Sequence, residues 1–147
     1  MPILGAIAGD IIGSIYEHHP PGTLDFPLLS SESRFTDDSV MTIATTSALL
    51  GDHDLGAAYR HWALRYPRAG YGSGFRAWLY SDDPQPYHSW GNGSTMRVSP
   101  VAWFATSETE TLNFARESAL PTHNHPRGII GAQATALTIW LARRRAK

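Results

Sequence analysis

Three consecutive oxygen donors, Thr36, Asp37 and Asp38, are the residues of this 147-residue chain with the clearest chemical potential. Hard cations such as Mg²⁺, Mn²⁺ and Ca²⁺ prefer clustered carboxylate and hydroxyl oxygens, so the segment could hold one of them. The same residues stand where a helical apolar pattern begins. Thr36 or Asp37 could therefore be an ordinary N-cap, with acidic side chains favoured by the helix dipole. The local pattern leaves a cation site and a capped helix start both open.

A second segment combines glycines, hydroxyls and an arginine just before a predicted helix. Glycines free backbone N–H groups, and a nearby arginine adds positive charge, so the segment could cradle an anion. It has neither the Walker A nor the dinucleotide spacing, and a plain tight turn explains it equally well. The segment reads Gly91-Asn92-Gly93-Ser94-Thr95-Met96-Arg97.

Two histidines alternate with other residues in a short polar segment before the last predicted helix. His123 and His125 could bind a ligand, transfer protons or hydrogen-bond to a ribose, while a capping loop is the simpler interpretation. Adjacent side chains diverge, so the pair His18 and His19 is poorly suited to bind one ion.

Composition excludes several classes of protein. The formal net charge is −1, so no overall field draws the chain to nucleic acid or to an anionic membrane, and we expect neither partner. Cysteine is absent, which excludes disulfides, thiolate metal sites and a cysteine nucleophile. No apolar run is long enough to span a membrane, and the apolar N-terminus lacks the pattern of a signal peptide. We expect a cytoplasmic protein.

Apolar periodicity places these polar segments at the ends of helices. No alternating, β-branched series indicates strands, so an all-α fold is predicted. Asp54 is the predicted cap of the third helix and Thr109 that of the sixth. Helices are expected at about residues 3–17, 38–50, 55–66, 75–79, 98–105, 110–120 and 127–142.

The predicted first helix has so little solvated surface that we expect it to be mostly buried. Its charged residues, Asp10 and Glu17, lie on one stripe with Ser14. A buried carboxylate needs a hydrogen bond, a countercharge or a metal, so this stripe either meets such partners or faces water. A second stripe is made of small residues and implies the close approach of another helix: Gly5, Gly9 and Gly13.

Four segments, in this order and at these spacings, resemble the ADP-ribosylglycohydrolase family, which includes dinitrogenase reductase-activating glycohydrolase. The resemblance implies an all-α orthogonal helical bundle with a binuclear Mg²⁺ or Mn²⁺ centre. It also implies hydrolysis of the N- or O-glycosidic bond between ADP-ribose and a side chain, often arginine, or a small molecule. The segments are residues 5–17, Phe35–Ser39, Gly91–Pro100, and Thr122–Pro126 followed by Gly128 and Gly131–Ala134.

The resemblance also implies roles for single residues. Thr36, Asp37 and Asp38 would be metal ligands, and Glu17 would lie at the edge of the metal site or substrate. Glycoside cleavage passes through an oxocarbenium-like transition state, for which Glu17 or Asp37 would act as base or stabilise positive charge. His123 would contact bound ADP-ribose. The distal ribose and phosphates would be held by Gly91, Asn92, Gly93, Ser94, Thr95 and Met96.

The sequence departs from the family pattern after the histidine segment. The family's second ligand segment, of Asp-Thr-Asp-Thr type, is absent, and the acidic pair Asp82-Asp83 does not replace it. We expect a truncated bundle, forming one domain over residues 1–147 without the usual C-terminal helices. Its metal site would be incomplete. Apolar faces around Ile11, Ile43 or Ile139 would then be uncovered and favour a homo-oligomer or another partner chain.

Three functions remain open on these grounds. The first is a Mg²⁺-dependent hydrolase, completed in an oligomer. The second is a catalytically impaired ADP-ribose-binding or relic module that keeps the fold. The third is a helical interaction protein whose polar clusters serve only as caps and loops.

Overall fold

The computed structural model describes residues 3–145, and every regular element in that range is helical. This confirms the all-α prediction for the described part of the chain. None of the described helices combines the length and the apolar character needed to cross a membrane. The helices are α1 Leu4–Gly13, α2 Asp37–Leu50, α3 Leu55–Arg65, α4 Ser73–Leu79, α5 Ser99–Phe104, α6 Glu108–Ala119 and α7 Pro126–Arg145, and a 3₁₀ turn at Asn92–Ser94 precedes α5.

The starts of α2 and α3 follow the predicted capping. Thr36 is extended, and its hydroxyl accepts a hydrogen bond of 3.3 Å from the N–H of Asp38, so Thr36 is the N-cap. Asp54 caps α3 by accepting from the N–H of Ala57 at 2.9 Å. These caps satisfy N–H groups that a first helical turn leaves unpaired.

The predicted cap of α6 was wrong. Ser107, not Thr109, accepts from the N–H of Glu110 at 3.1 Å, so the helix begins two residues earlier, at Glu108. The Glu110 carboxylate reaches back to the N–H and hydroxyl of Thr106, at 2.6 and 2.7 Å. This reciprocal arrangement resembles a capping box and favours the earlier start.

Helix α2 is shared by two apolar clusters. The first joins α2 to α3 and α4 through Met41, Tyr59 and Trp78. The second joins the end of α2 to α5, α6 and α7, where small side chains let the helices approach closely. A helix held on two sides gives rigid positions to the residues at its N-terminus. The buried members of the second cluster are Leu49, Val98, Val101, Ala115, Ala119, Ala132 and Ala136.

Helix α1 is the least buried element, contrary to the expectation for it. It packs on α2, but none of its residues is buried, and it ends at Gly13 rather than near Glu17. The small-residue stripe has no neighbour in the described chain. Within residues 3–145, and apart from the adjoining residues and the backbone of α1 itself, no heavy atom lies within 4 Å of the place where a Cβ would stand on Gly5, Gly9 or Gly13.

Candidate functional site

Three of the four segments that resemble the family meet at one cavity of about 290 Å³. Asp37, at the start of α2, contributes one wall, and His123, before α7, contributes another. Between them lies the loop that carries the 3₁₀ turn. The predicted site residues on the lining are Asp37, Gly91, Asn92, Gly93, Met96 and His123.

Asp10 fixes the N-terminus of α2 from the neighbouring helix α1. Its carboxylate accepts from the N–H and the hydroxyl of Thr36, at 2.8 and 2.6 Å. It also accepts from the N–H of Ser39 at 3.1 Å and from the Ser39 hydroxyl. Asp10 was not among the predicted site residues. Its place on the polar stripe of the first helix was the signal that could have identified it.

Ser14 extends the same attachment one helical turn further. Its hydroxyl donates to the carbonyl of Ile11 at 2.9 Å and accepts from the N–H of Arg34 at 3.1 Å. Asp10 and Ser14 therefore face the segment that leads into α2 rather than open water. Glu17 lies beyond the end of α1, is exposed and is not on the cavity lining.

Asp37 is held by its backbone and forms part of the cavity wall. Its N–H donates to the carbonyl of Ala69 at 2.8 Å. Gly70, with φ of +111°, lies beside it, and a Cβ there would be 3.3 Å from the Asp37 Oδ1 atom. A positive φ of this kind is accessible to glycine at little cost. The loop 69–71 therefore approaches the carboxylate closely.

Burial, and then the neighbouring carboxylates, raise the pKa of both Asp37 and Asp38. Burial is the largest cause for Asp37, followed by the charge of Asp38, and together with Glu17 and Asp10 they raise its pKa to about 6. Burial, then Asp10 and Glu17, raise the pKa of Asp38. Neighbouring carboxylates repel one another when ionised, so a cation at this place would stabilise their charged forms.

The donor set at the start of α2 suits a hard divalent cation, but only as part of a site. The Thr36 hydroxyl donates to Asp10 and accepts from the N–H of Asp38, which leaves one acceptor direction free. The two aspartates add carboxylate oxygens. Mg²⁺ takes about six oxygen ligands. Within residues 3–145, no group of three or more His, Cys, Asp or Glu residues is placed to hold a metal.

The glycine loop has one face on the cavity and one on α7. Ser94 is buried, and its hydroxyl donates to the carbonyl of Gly128 at 2.8 Å. The Thr95 hydroxyl lies 3.0 Å from the position of a Cβ on Gly131. Neither Ser94 nor Thr95 lines the cavity. These two predicted ligand-binding residues are therefore placed where they attach the loop to α7.

The two histidines of the polar segment have different surroundings. His123 is buried beside the cavity, with Nδ1 2.8 Å from the Thr122 hydroxyl oxygen. Burial, and then the charge of Arg97, lower the pKa of His123 to about 4, so the ring is neutral near pH 7. His125 instead accepts from the N–H of Arg127 at 3.0 Å, next to the start of α7, as a capping residue does.

Arg97, the arginine that the sequence suggested as part of an anion cradle, lies on the cavity lining. Only 1% of its surface is exposed, and burial lowers the pKa of its guanidinium. It donates to the Ser118 carbonyl at 2.7 Å and to the Thr122 hydroxyl at 2.9 Å. Its guanidinium carbon lies 4.0 Å from the centre of the Tyr59 ring. These partners are uncharged, so a positive charge lies buried at the cavity wall.

Comparison with known proteins gives the same family along the whole described chain. Residues 2–147 match the family model described as ADP-ribosylglycohydrolase. The chain is 29% identical to ADP-ribosylhydrolase ARH3 of Mus musculus, over 95% of this chain and 47% of the mouse protein. The Homo sapiens protein of that name is 29% identical, with 48% of it covered, and the Xenopus tropicalis one is 26% identical, with 49% covered. The chain thus spans about half the length of the curated relatives it matches.

Proposed function

Because the chain belongs to the ADP-ribosylglycohydrolase family, we propose that it hydrolyses the glycosidic bond between ADP-ribose and a protein side chain or small molecule, with Mg²⁺ or Mn²⁺. The observation that carries this proposal is the cavity shared by Asp37, the glycine loop and His123. Gly91 and His123 follow Asp37 by 54 and 86 positions in the sequence. All three nevertheless line one space, as a binding site for an extended ligand requires.

In this proposal the N-terminus of α2 supplies the metal ligands. Thr36, Asp37 and Asp38 would hold the cation, which when bound orients ribose hydroxyls and activates or positions water. Asp10 fixes the orientation of the Thr36 hydroxyl by accepting a hydrogen bond from it. Glu17 or Asp37 would accept a proton at a carboxylate oxygen or stabilise positive charge at the anomeric carbon.

The opposite wall would bind the nucleotide part of the ligand. The glycine loop offers backbone N–H groups, and Arg97 adds a buried positive charge behind it. Negative phosphates are favoured by both. The cavity is thus acidic at Asp37 and cationic at Arg97, which would orient ADP-ribose with its scissile end towards the acidic side.

A second candidate is a module that binds ADP-ribose without turnover. It is favoured by the ligand set at α2, since no group of three acidic or histidine ligands is found within the described range. In this case the cavity would keep affinity for ADP-ribose while hydrolysis would be slow or absent.

We further propose that a second copy of the chain covers exposed apolar surface and forms a homo-oligomer. Ile11, Ile43 and Ile139 are each only partly covered. A groove of about 180 Å³ lies between α2 and α5, and Leu50 on its rim is 77% exposed. Contiguous apolar patches of this kind favour association.

The test combines turnover and binding on the purified chain. ADP-ribosyl-arginine and an O-linked ADP-ribosyl peptide are incubated with Mg²⁺, and released ADP-ribose is measured by chromatography. Release that EDTA abolishes, and that Asp37→Ala lowers at least about 100-fold, would support hydrolysis. Asp25→Ala, an exposed loop change, is the matched control and should leave release unchanged.

The outcomes separate the two candidates. Calorimetric binding of ADP-ribose without release would support the non-catalytic module and exclude the hydrolase for these substrates. If the chain neither binds ADP-ribose nor releases it from these substrates, both candidates are contradicted. Binding that does not respond to Mg²⁺ would remove the metal ligand role from Thr36, Asp37 and Asp38.

A further inference from the structure

Three buried side chains form a hydrogen-bonded series that ends at the cavity. Arg97 donates through Nη2 to the Thr122 hydroxyl oxygen at 2.9 Å. That oxygen lies 2.8 Å from Nδ1 of His123. Thr122 is fully buried and His123 is 4% exposed. The donor and acceptor roles in such an isolated series follow from counting its protons.

The guanidinium fixes the direction of the series because arginine can only donate. The Thr122 oxygen therefore accepts from Arg97, and its own proton remains to be placed. If His123 also donated from Nδ1, the buried hydroxyl proton would have no acceptor among its described partners, which costs about 1–3 kcal/mol. With the hydroxyl donating to Nδ1, the hydroxyl proton of Thr122 and the lone pair of His123 Nδ1 both have a partner. Nδ1 then carries no proton, and the neutral ring carries it on Nε2.

The Nε2 edge of the ring faces the glycine loop. A Cβ on Gly93 would lie 2.8 Å from Cε1 and 2.9 Å from Nε2 of His123. Both residues line the cavity. The ring edge is therefore held against the segment that binds the ligand in the proposed function.

We propose that Arg97 is a positioning residue that acts through Thr122 and holds His123 as the neutral Nε2–H tautomer, presenting this N–H as a hydrogen-bond donor at the Gly93 side of the cavity. His123 then acts as a fixed donor to an acceptor oxygen of a ligand, such as a hydroxyl or phosphate oxygen. It is not a proton shuttle near neutral pH.

The surroundings of the ring support the neutral form. The titratable groups described around it are Arg97, which is positive, and Tyr87, whose ring centre is 6.1 Å away and whose pKa burial raises. Neither supplies a negative charge that would stabilise an imidazolium. The buried charge of Arg97 opposes protonation and lowers the pKa of His123 further.

The tautomer is a property of the free chain and does not rest on the proposed function, whereas its use in binding ADP-ribose does. The first experiment is therefore ligand-free. Long-range ¹H–¹⁵N correlation spectra of the ¹⁵N-histidine-labelled chain, assigned with His123→Gln, report which ring nitrogen carries the proton. We expect Nε2–H throughout pH 6 to 8, with protonation only near pH 4. A dominant Nδ1–H tautomer, or protonation near the ordinary pKa of 6.5, would overturn the proposal.

Variants of Thr122 distinguish positioning from simple packing. Thr122→Val keeps the shape but removes the hydroxyl, so we expect a mixture of tautomers. Thr122→Ser keeps the hydroxyl and should keep the Nε2–H form. A retained single Nε2–H form in Thr122→Val would contradict the role of Thr122. If Thr122→Val does not fold, Arg97→Lys, which keeps the charge, is used in its place. An unchanged pKa of His123 in Arg97→Met would contradict the role of the Arg97 charge.

Ligand binding is measured last, on the same variants. We expect Thr122→Val to bind ADP-ribose about 10-fold more weakly than Thr122→Ser, as expected for one misplaced hydrogen-bond donor. Equal affinities would overturn the binding role of the fixed donor. A correct tautomer in a chain that neither binds nor hydrolyses ADP-ribose would leave the series in place while contradicting the proposed function.

Discussion

At the scale of single residues, Asp10 organises the start of the proposed metal site without lining the cavity. Its carboxylate accepts hydrogen bonds from the backbone N–H and the hydroxyl of both Thr36 and Ser39. A carboxylate satisfied in this way both caps α2 and fixes the rotamer of a proposed ligand. Because Asp10 acts by positioning other groups, its replacement should lower both the free energy of unfolding and the affinity for the metal.

Asp10→Asn should therefore lower the free energy of unfolding by about 2 kcal/mol, because an amide cannot accept from all four donors and leaves some of them unpaired. Metal affinity should fall with it, because Thr36 loses its orientation. Denaturant unfolding and Mn²⁺ titration measure the two effects. Asp25→Asn, on an exposed loop, should change stability by less than about 0.5 kcal/mol. Equal behaviour of the two variants would disprove the capping role.

Gly93→Ala should disturb the cavity, because its Cβ would lie under 3.0 Å from the His123 ring. We expect ADP-ribose affinity to fall about 10-fold or more, since the ring must move away from the loop. Gly22→Ala, in the loop between α1 and α2, is the control. Its Cβ would have no heavy atom of another part of the chain within 4 Å. Calorimetry measures the ADP-ribose affinity of both variants. Equal affinities would contradict the close packing of His123 against the loop.

The lowered pKa of His123 also predicts how the free energy of unfolding depends on pH. Its pKa in the folded chain is about 4, below the ordinary 6.5, so the unfolded chain binds this proton first. The group's contribution to stability is complete above pH 6.5 and is lost as pH falls towards 4. Between pH 7.5 and 5, in EDTA, the wild type should lose on the order of 1 kcal/mol more than His123→Gln. Parallel losses would contradict a neutral buried ring.

At the scale of elements, α1 and α7 use glycine in opposite ways. On α7, a Cβ at Gly128 would lie 2.8 Å from the Ser89 carbonyl oxygen and 3.0 Å from the His123 Cβ, so the helix approaches the site closely there. On α1, the glycine stripe faces open space. Asp10 and Ser14, in contrast, both hold residues at or just before the start of α2.

This contrast predicts opposite effects of the same substitution. Gly9→Ala should leave the fold intact and stabilise the isolated chain by up to about 1 kcal/mol, the helix-propensity difference. Gly128→Ala should destabilise it by about 2 kcal/mol or more, because a backbone carbonyl cannot move aside cheaply. Thermal unfolding of the two variants measures this. Destabilisation by Gly9→Ala at low protein concentration would show that α1 is packed more closely than described.

At the scale of the whole molecule, exposed apolar surface is distributed unevenly. Leu50 stands at the rim of the apolar groove between α2 and α5, where Trp103 is 41% exposed. Leu24 is fully exposed but lies in the loop between α1 and α2, away from the groove lining. Association through the groove would therefore depend on the first leucine and not on the second.

Sedimentation velocity over a range of concentrations tests this. If a second copy docks at the groove, Leu50→Glu should weaken the dimer at least about 10-fold by placing a charge in an apolar contact. Leu24→Glu adds the same charge outside the groove and should leave the dimer unchanged. A wild-type chain that stays monomeric at all concentrations would contradict the proposed homo-oligomer.

The local features could be predicted from sequence because they depend on neighbours along the chain. Six of the seven helices begin and end within three residues of the predicted bounds, and Thr36 and Asp54 cap as expected. The resemblance to the family identified the three segments that meet at the cavity. Asp37 and His123 were proposed as site residues on that basis, and the structure places both on its lining.

What the sequence determined by itself was which residue types stand at helix ends and in which order. Tertiary structure alone decided which of them meet. Asp10 accepts from Thr36, 26 residues away, and Arg97 donates to Thr122, 25 residues away, contacts that no local pattern encodes. The apolar and glycine pattern of α1 predicted burial, yet none of its residues is buried and its glycine stripe faces open space. Periodicity shows which face of a helix could be buried, whereas burial requires a partner surface from elsewhere.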